Sequence, residues 1–431
     1  MRQKLFVLSM DAMVYEDIAY LETKPNFQKL FKKRAQVEKV RSVYPTSTYP
    51  AHSTLMTGCN PDKHGVYANF PICTWQDDIA HWPLYYTSVY AQDIFAAAKK
   101  AGMTTAAVYW PITGCNPNID HIINEYFFYY DDLEDWENTF ARQGADAVAL
   151  QAARENTHLL PTNRNEKTLT PFSQFDPFLM GCACSLIRNA KPDLLMVHNS
   201  YIDTARHRFG TFAPEIRECL DWTDQWLGDV IQAMEDAGVY EQTNFVLLSD
   251  HGQMDYHITV NINALFRQDG WIQVSPDGKL YDWHAYAQSN GKSTTVHLRD
   301  NTNQKLFDRA HDYLLQLQRN PENGIEKVYT LEDVQKRYNV SGPFSFLLEA
   351  TEDVAFGSSF AGDVYCQKPV HGTHGYMPEK GPQPVFLASG PAFRDAVLKS
   401  AKLTDIAPTL AATFGQTFED ADGQALTELL V

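Results

Sequence analysis

Carboxylate and imidazole side chains of the kinds that bind metals recur near the ends of the apolar segments of this chain, together with one candidate nucleophile. They are Asp11, Asp203, His207, Asp250, His251 and His374, and the nucleophile is Thr48. Histidine nitrogen and carboxylate oxygen are ligands of catalytic zinc. Two metals about 4 Å apart can hold a phosphoryl group and activate a nucleophile. The sequence therefore predicts two adjacent metal sites beside Thr48.

Each of these pieces also has an ordinary structural interpretation when it is taken alone. Asp11 could cap or turn the chain after a strand, and the Asp-His-Gly run at 250–252 could form a turn. Thr48 could be a helix N-cap. Asp203 could pair with His207 on a helix surface, because residues four apart share a face. The functional interpretation is favoured because all the pieces occur in one chain, near predicted strand ends.

The composition is that of a globular protein. The chain has 431 residues, of which 44% are hydrophobic and 21% are charged, enough for one large domain with an insertion or for two domains. Its net charge of -17 argues against binding of a nucleic-acid polymer or an anionic membrane surface. A small anionic substrate remains compatible with this charge, because bound divalent ions can invert the local potential.

The N-terminal apolar segment and the cysteines bear on location. Residues 5–8 are too few for the apolar core of a signal peptide, and no apolar run in the sequence reaches membrane-spanning length. The seven cysteines are scattered and odd in number, which favours a reducing compartment. We therefore expect a cytoplasmic protein that does not bind a membrane.

Short apolar runs alternate with helical patterns along the chain. Predicted strands cover residues 5–9, 37–43, 105–109, 194–198, 245–249 and 385–388, and predicted helices cover 26–33, 93–101, 215–237 and 405–414. This alternation predicts an α/β fold, with an open, mostly parallel sheet and helices on both faces. Sites in such sheets form beyond the carboxyl ends of the strands. Asp11, Asp203 and Asp250 each follow a predicted strand, so we expect them at one edge.

Two stretches interrupt this alternation. Residues 118–176 are aromatic and acidic, then helical, then polar, and we interpret them as an elaboration of one edge. Residues 254–369 contain strand-like pieces and a helical pattern and predict a smaller inserted α+β cap. Residues 1–253 and 370–431 would then form the metal-dependent catalytic domain.

The order of several short motifs resembles that of a known family. They are Pro-Thr-Ser-Thr-Tyr-Pro-Ala-His at 45–52, Thr-Gly at 57–58, Pro-Asp-Lys-His-Gly at 61–65, Asn69, Asp203 with His207, Ser-Asp-His-Gly at 249–252 and His-Gly-Tyr at 374–376. Following a strand that ends in Asp11, they resemble the type I phosphodiesterase and nucleotide pyrophosphatase family of the alkaline phosphatase superfamily. The resemblance covers nearly the whole chain apart from the two interruptions, and it implies an alkaline phosphatase-like fold.

The resemblance also implies roles for the site residues. Two zinc ions, or other divalent ions, would be held by two ligand sets: Asp203, His207 and His374 in one, and Asp11, Asp250 and His251 in the other, with Thr48 touching the second. Thr48 would be the nucleophile and would form a phosphothreonine ester. Asn69, with the backbone amide of Thr48, would hold a phosphoryl oxygen, because charge that develops there needs preorganised donors.

Relatives within the superfamily narrow the expected reaction. Sulfatases need an oxidisable Cys or Ser and an Arg four residues later, where this chain has Thr48 and His52. Alkaline phosphatases and phosphoglycerate mutases use Ser as the nucleophile. Thr48 therefore favours hydrolysis of phosphodiester or pyrophosphate bonds. The close alternative is a P–C bond hydrolase similar to phosphonoacetate hydrolase, and a catalytically silent binding protein on the same scaffold is a third, which loss of a ligand would favour.

The expected partner is a small anionic phosphoester, and a nucleotide is one option. In the nucleotide enzymes an aromatic residue follows the nucleophile and stacks on the base, as Tyr49 would here, but His198 replaces their second aromatic. Trp110, Tyr201 and the aromatic run at 126–130 are further candidates for substrate binding. Lys292 and Arg299 are the candidates for a substrate carboxylate under the phosphonate alternative. The sequence predicts no particular oligomeric state.

Overall fold

The computed structural model describes residues 2–72, 82–126, 135–160 and 175–431. Its centre is an eight-stranded sheet. From one edge to the other, the strands are Ala396–Leu398, Ala35–Val37, Phe386–Ser389, Thr243–Leu248, Lys4–Met10, Leu194–Asn199, Thr105–Val108 and His121–Ile123. Within this sheet only Phe386–Ser389 runs antiparallel to its neighbours. The predicted open, mostly parallel sheet is therefore confirmed.

Helices cover both faces of this sheet. Outside residues 254–369, they are Ile18–Leu21, Pro25–Phe31, Thr48–Thr57, Pro61–His64, Ile94–Lys100, Trp136–Arg142, Ala147–Glu155, Asp176–Asn189, Tyr201–Phe209, Ile216–Ala237 and Ile406–Ala412. Along the strand Lys4–Met10, Phe6 and Leu8 pack into one apolar core, and Leu5 and Val7 pack into another on the opposite face. Burial on both faces explains why the central strands are continuous apolar runs.

The predicted strand at 37–43 is wrong as a single element. Ala35–Val37 lies in the large sheet, whereas Val40–Arg41 pairs with Ala401–Lys402 in a separate two-stranded sheet. The short edge strands His121–Ile123 and Ala396–Leu398 were not predicted. Strands of two or three residues are too short to produce an apolar periodicity, so the sequence pattern does not reveal them.

Residues 254–369 carry smaller sheets and their own apolar core. One antiparallel sheet consists of Ala285–Ser289, Ser293–Leu298, Phe346–Ala350 and Ile325–Thr330. Two smaller sheets are formed by Ile272–Val274 with Leu280–Trp283, and by Met254–Asn261 with Val354–Gly357 and Tyr365–Thr373. The helices of this part are Ile262–Gln268, Gln304–Arg319 and Leu331–Tyr338. A core cluster of buried residues between 260 and 364 holds this part together. The limits of the cap and of the elaboration at 118–176 stay predictions.

Among the described residues, no helix combines the length and the apolar character that crossing a membrane requires.

Candidate active site

The three predicted carboxylates lie beyond the carboxyl ends of three neighbouring strands. Asp11 follows the central strand, Asp250 follows the strand on one side, and Asp203 lies in the helix Tyr201–Phe209, which begins after the strand on the other side. Parallel strands end at the same edge of a sheet, which is where sites form. The backbone N–H of Ala12 also donates to Oδ1 of Asp250 over 3.2 Å, which ties the first two acids together.

Thr48 is the first residue of a ten-residue helix. Its hydroxyl oxygen lies 3.5 Å from Oδ2 of Asp11 and 3.2 Å from Nε2 of His251. The first N–H groups of a helix have no acceptor within the helix, and that of Tyr49 donates to Oδ1 of Asn69 at 2.9 Å. This bond fixes the Asn69 amide beside Thr48 and leaves its NH₂ group as a donor for another ligand.

His374 sits where the insertion meets the large sheet. Its Nδ1 lies 3.3 Å from Oγ of Ser47, and its backbone carbonyl accepts a 2.8 Å hydrogen bond from the N–H of Lys292. Gly375 has a φ of +91°, and a Cβ there would lie 1.8 Å from the carbonyl oxygen of Asn290. Only glycine permits this approach. The backbone around His374 is therefore held by contacts from both parts of the chain.

Two groups of donor side chains are close enough to hold metal ions. In each group the donor atoms lie within 4.8 Å of one another, and the groups are Asp11, Asp250 and His251, and Asp203, His251 and His374. The first group equals one of the two predicted ligand sets. His251 occurs in both groups, so the two positions adjoin.

His207, predicted for the set with Asp203 and His374, lies at the side of the second group. Its Nε2 is 3.3 Å from Oδ2 of Asp203, and its ring centroid is 5.1 Å from that of His374. Nδ1 of His207 is 2.9 Å from the carbonyl oxygen of Gly372. A proton on Nδ1 satisfies that carbonyl and leaves Nε2 as a ligand atom, the usual arrangement of metal-binding histidines.

Two buried carboxylate oxygens show that these residues fit a cation. Among the described residues, Oδ1 of Asp11 and Oδ2 of Asp250 receive no hydrogen bond. Both lie beside Nε2 of His251, at 3.4 Å and 3.2 Å. Buried charged oxygens without a donor are costly, and a divalent ion would satisfy both at once. Oxygen and nitrogen donors in this combination suit zinc.

The acids and histidines of the site shift the pKa values of its carboxyl groups in opposite directions. Burial, followed by the charges of Asp250 and Asp203, raises the pKa of the Asp11 carboxyl well above its usual value. Burial also opposes ionisation of Asp203, but the surrounding histidines, His207 first, outweigh burial and lower its pKa. The site therefore concentrates acidic groups whose ionisation a bound cation would favour.

His52 contacts the backbone of Thr48 from inside the protein. It is fully buried, and its Nδ1 lies 2.9 Å from the backbone oxygen of Thr48 and 3.4 Å from Oδ2 of Asp250. Its Nε2 is 2.9 Å from Oγ of Ser9. Trp110 packs edge-on against the His52 ring, with centroids 5.0 Å apart. Both ring nitrogens are thus occupied by protein groups, as expected of a structural histidine.

A cavity of about 360 Å³ opens over these groups. Its lining includes the predicted Asp11, Thr48, Tyr49, Asn69, Asp203, His207 and His374. Sequence reasoning missed other lining residues, namely Trp82, Glu125, Ser200, Thr204, Arg208, Tyr256, Lys368 and His371. Single residues outside a motif carry no spacing signal, and only the fold brings them to the cavity. The volume lies in the range of small-molecule sites.

The two predicted substrate-binding aromatics differ in position. Tyr49 lines the cavity; its hydroxyl donates to Oε2 of Glu125 at 2.5 Å, and its ring centroid lies 4.9 Å from that of Trp82. The side chains of Tyr49 and Trp110 are both fully buried, but Trp110 is absent from the lining of this cavity, so its position against His52 gives no support to the predicted substrate contact. The aromatic residues at 127–130 lie outside the described residues.

Lys292 and Arg299 do not line this cavity. The Lys292 side chain is buried, and its ammonium group donates to the backbone carbonyls of Asp255, at 2.9 Å, and Glu352. Arg299 pairs with Asp282 within the insertion. Both cations therefore serve structural contacts and not the substrate carboxylate suggested for them.

Comparison with known families shows to which family the chain belongs. The sequence model described as type I phosphodiesterase / nucleotide pyrophosphatase matches residues 5–377. The chain belongs to this family. The family resemblance is thereby confirmed, and membership makes the chain a hydrolase of a metal-dependent family.

Individual relatives have low sequence identity to this chain but match it over most of its length. The chain is 24% identical to human ectonucleotide pyrophosphatase/phosphodiesterase family member 5 over 420 residues, covering 95% of this chain and 74% of the relative. It is 22% identical to the rat family member 3 over 414 residues, covering 91% of this chain but 39% of that protein. Solved structures of the murine family member 5, one of them an inactive variant in complex with AMP, match with a TM-score of 0.66 at 19% identity and full coverage of both chains. This match confirms the alkaline phosphatase-like fold.

Within this type I phosphodiesterase family, His198 marks a departure from the aromatic pattern of the nucleotide enzymes. It lines the cavity, and its Nε2 lies 3.5 Å from Oδ2 of Asp11. Trp82, which packs on Tyr49, supplies an aromatic surface from another part of the chain. Trp82 thus brings an aromatic ring to the cavity beside Tyr49.

Proposed function

We propose that this chain hydrolyses phosphodiester or pyrophosphate bonds in small substrates, with Thr48 as the nucleophile and two zinc ions as cofactors. The observation that carries this proposal is the position of the Thr48 hydroxyl, 3.2 Å from His251 and 3.5 Å from Asp11 at the start of a helix. A threonine hydroxyl is a weak nucleophile until its proton is removed. Few surroundings other than a metal site would explain a hydroxyl among buried acids and histidines.

The two ligand sets are chemically suited to zinc. Asp11, Asp250 and His251 would hold one ion, and Asp203, His207 and His374 would hold the other; His251 lies between the sets. When bound, the ions would lower the pKa of the Thr48 hydroxyl and of a water molecule and would neutralise charge on the phosphoryl and leaving oxygens. The identity of the metal as zinc is part of the proposal.

The chain's own groups would orient the reaction. Thr48 Oγ1 would lose its proton to solvent and attack phosphorus in line with the leaving group, whose P–O bond breaks as the phosphothreonine ester forms and whose oxygen takes up a proton. Water would then attack the ester, releasing the phosphoryl product and restoring the Thr48 hydroxyl. The Asn69 NH₂ group and the backbone N–H of Thr48 are donors for a phosphoryl oxygen, because charge grows there in the transition state. His52 positions Thr48 through its backbone oxygen.

The lining residues support a diester and, more narrowly, a nucleotide. Beside Thr48 the neutral Asn69 offers no extra charge for a third phosphoryl oxygen, which a monoester carries. Arg208 and Lys368 add positive charge elsewhere in the lining, where a second phosphate of a pyrophosphate bond could pair with them. Trp82, which packs on the buried ring of Tyr49, supplies aromatic surface of the kind that stacks on bases. A related protein is described in complex with AMP.

A hydrolysis panel tests this proposal. The zinc-loaded protein is given a p-nitrophenyl nucleoside phosphodiester, p-nitrophenyl phosphate and phosphonoacetate under identical conditions. We expect the catalytic efficiency, kcat/KM, to be highest for the diester. A higher efficiency for the monoester would contradict the proposal, and cleavage of phosphonoacetate alone would favour the P–C bond alternative, for which Arg208 and Lys368 would be the carboxylate partners.

A further inference from the structure

Glu125 is a buried acid in the cavity that the proposed chemistry does not use. Its side chain is 4% exposed, and its Oε2 accepts the hydrogen bond of the Tyr49 hydroxyl. In the described parts of the chain, no Lys or Arg lies near enough to pair with it. A carboxyl in this position is costly unless it is neutral or has further partners.

The chemical state of Glu125 follows from its surroundings. Burial raises the pKa of the Glu125 carboxyl to about 8, although the hydrogen bond from Tyr49 lowers it. At neutral pH the group therefore keeps a proton. One oxygen then carries an O–H donor, and the other remains an acceptor with a second lone pair beside the Tyr49 bond. Such a group resembles a side-chain amide in what it offers to a ligand.

Tyr49 connects this carboxyl to the reaction centre. Its backbone is next to Thr48, and its hydroxyl at the far end of the ring meets Glu125. Trp82 lies 4.9 Å from the Tyr49 ring, centroid to centroid, and Thr48, Trp82 and Glu125 all line the same cavity. A planar group attached to a phosphoryl at Thr48 and lying along this aromatic surface would bring its edge to Glu125.

We propose that Glu125 recognises the edge of a nucleobase, and that it does so as a paired hydrogen-bond donor and acceptor. For adenine, ring N1 would accept from the carboxyl O–H, and the 6-amino group would donate to the other carboxyl oxygen. Asn and Gln side chains make the same kind of donor–acceptor pair with another edge of adenine, at N6 and N7. The inference rests on the proposed function, which places a phosphoryl group at Thr48.

The pairing gives a specific response to removal of the amino group. The measured quantity is a ratio: kcat/KM for the p-nitrophenyl diester of adenosine 5′-phosphate, divided by that for the same diester of purine riboside, which lacks the 6-amino group. We expect a ratio of roughly 10 in the wild type, because one hydrogen bond to a buried polar group is lost. Glu125→Gln keeps a donor beside an acceptor and should keep the ratio, whereas Glu125→Leu should reduce it to about 1.

A matched control comes from a second buried glutamate. Glu349 is also fully buried and accepts a hydrogen bond from a tyrosine hydroxyl, that of Tyr44, at 2.8 Å, but it lies outside the cavity lining. Glu349→Gln should therefore leave the ratio at its wild-type value. If Glu125 only anchored Tyr49, both Glu125 variants would change all substrates alike and the ratio would not respond.

The outcomes separate this inference from the proposed function. A ratio near 1 in the wild type, or an unchanged ratio in Glu125→Leu, would overturn the base-recognition role while diester hydrolysis itself stood. The role would also be overturned if the wild type preferred the guanosine diester to the adenosine diester and Glu125→Gln lost this preference. Recognition of guanine in that way requires an ionised carboxylate. Failure of the wild type to hydrolyse bis(p-nitrophenyl) phosphate, which has no base, would instead contradict the proposed function. If Glu125→Leu does not fold, the double variant Tyr49→Phe/Glu125→Leu replaces it, because it removes both partners of the hydrogen bond together. The ratio measured for the wild type then still tests whether the 6-amino group is recognised.

Discussion

At the scale of single residues, the site is organised around the Thr48 hydroxyl and the shared position of His251. The hydroxyl is 3.2 Å from Nε2 of His251, and that same atom lies within 3.4 Å of both Asp11 and Asp250. A helix cap would need only a backbone N–H as partner, and the structure shows no cap bond from the side chain of Ser47, the residue before Thr48. Ser47 occupies the N-cap position and Thr48 is the first helical residue, so Thr48 is not the cap of this helix.

Replacing Thr48 by Ala should lower kcat for a nucleoside diester on the order of a thousandfold or more, because the covalent route needs its oxygen. Zinc content, measured by elemental analysis, should stay at the wild-type level. Thr57→Ala is a matched control, since Thr57 is in the same helix and its buried hydroxyl donates to the backbone of Ser53 at 2.7 Å. Turnover by Thr48→Ala close to that of Thr57→Ala would show that Thr48 has only a structural role.

Replacing His207 by Ala should lower the affinity for one zinc ion by about 100-fold or more and leave the other bound, because the ligand sets are separate on that side. His257→Ala is the control, since His257 is a half-exposed histidine that lies 3.8 Å from Asp353 on the insertion. The check is zinc bound per chain after dialysis against a weak chelator. Two retained zinc ions in His207→Ala would remove His207 from the ligand set.

At the scale of elements, the sequence was most informative where motif and strand coincide. Asp11 and the Asp-His run at 250–251 follow buried apolar strands, and parallel strands that neighbour one another must end together. Glu125 and Trp82 could not be predicted in the same way. Neither lies in a motif, and only pairing of the edge strand before Glu125 and the tertiary contact of Trp82 with Tyr49 bring them to the cavity.

Replacing Gly375 tests how the loop after His374 holds that histidine in place. Gly375→Ala must place a methyl group against the carbonyl oxygen of Asn290 at a φ of +91°, so we expect a loss of about 2 kcal/mol or more in the free energy of unfolding. Displacement of the adjacent His374 should also weaken zinc binding.

Gly278→Ala controls for backbone strain alone. Gly278 also has a positive φ, +83°, but a Cβ there meets no atom within 4 Å, so its cost should be about 1 kcal/mol. Urea unfolding of both variants gives the comparison. Equal losses of stability, with unchanged zinc affinity in Gly375→Ala, would show that the close contact with Asn290 does not position His374.

At the scale of the whole molecule, the insertion and the large sheet together complete the site. Three carboxylates come from the edge of the sheet, whereas His374 is fixed by backbone contacts with residues 290–292 of the insertion. The sequence predicted both parts and their order, because the family motifs flank the insertion. The limits of the domains and the cytoplasmic location stay predictions, since they rest on composition and pattern alone.

The central claim is that two metal ions occupy adjacent positions beside Thr48. Anomalous diffraction at the zinc edge, from crystals of the zinc-loaded protein, measures this directly. We predict two peaks roughly 4 Å apart, one among Asp11, Asp250 and His251, and the other among Asp203, His207 and His374, with the Thr48 hydroxyl beside the first. A single peak, or two peaks of which neither is in contact with Thr48, would contradict the account.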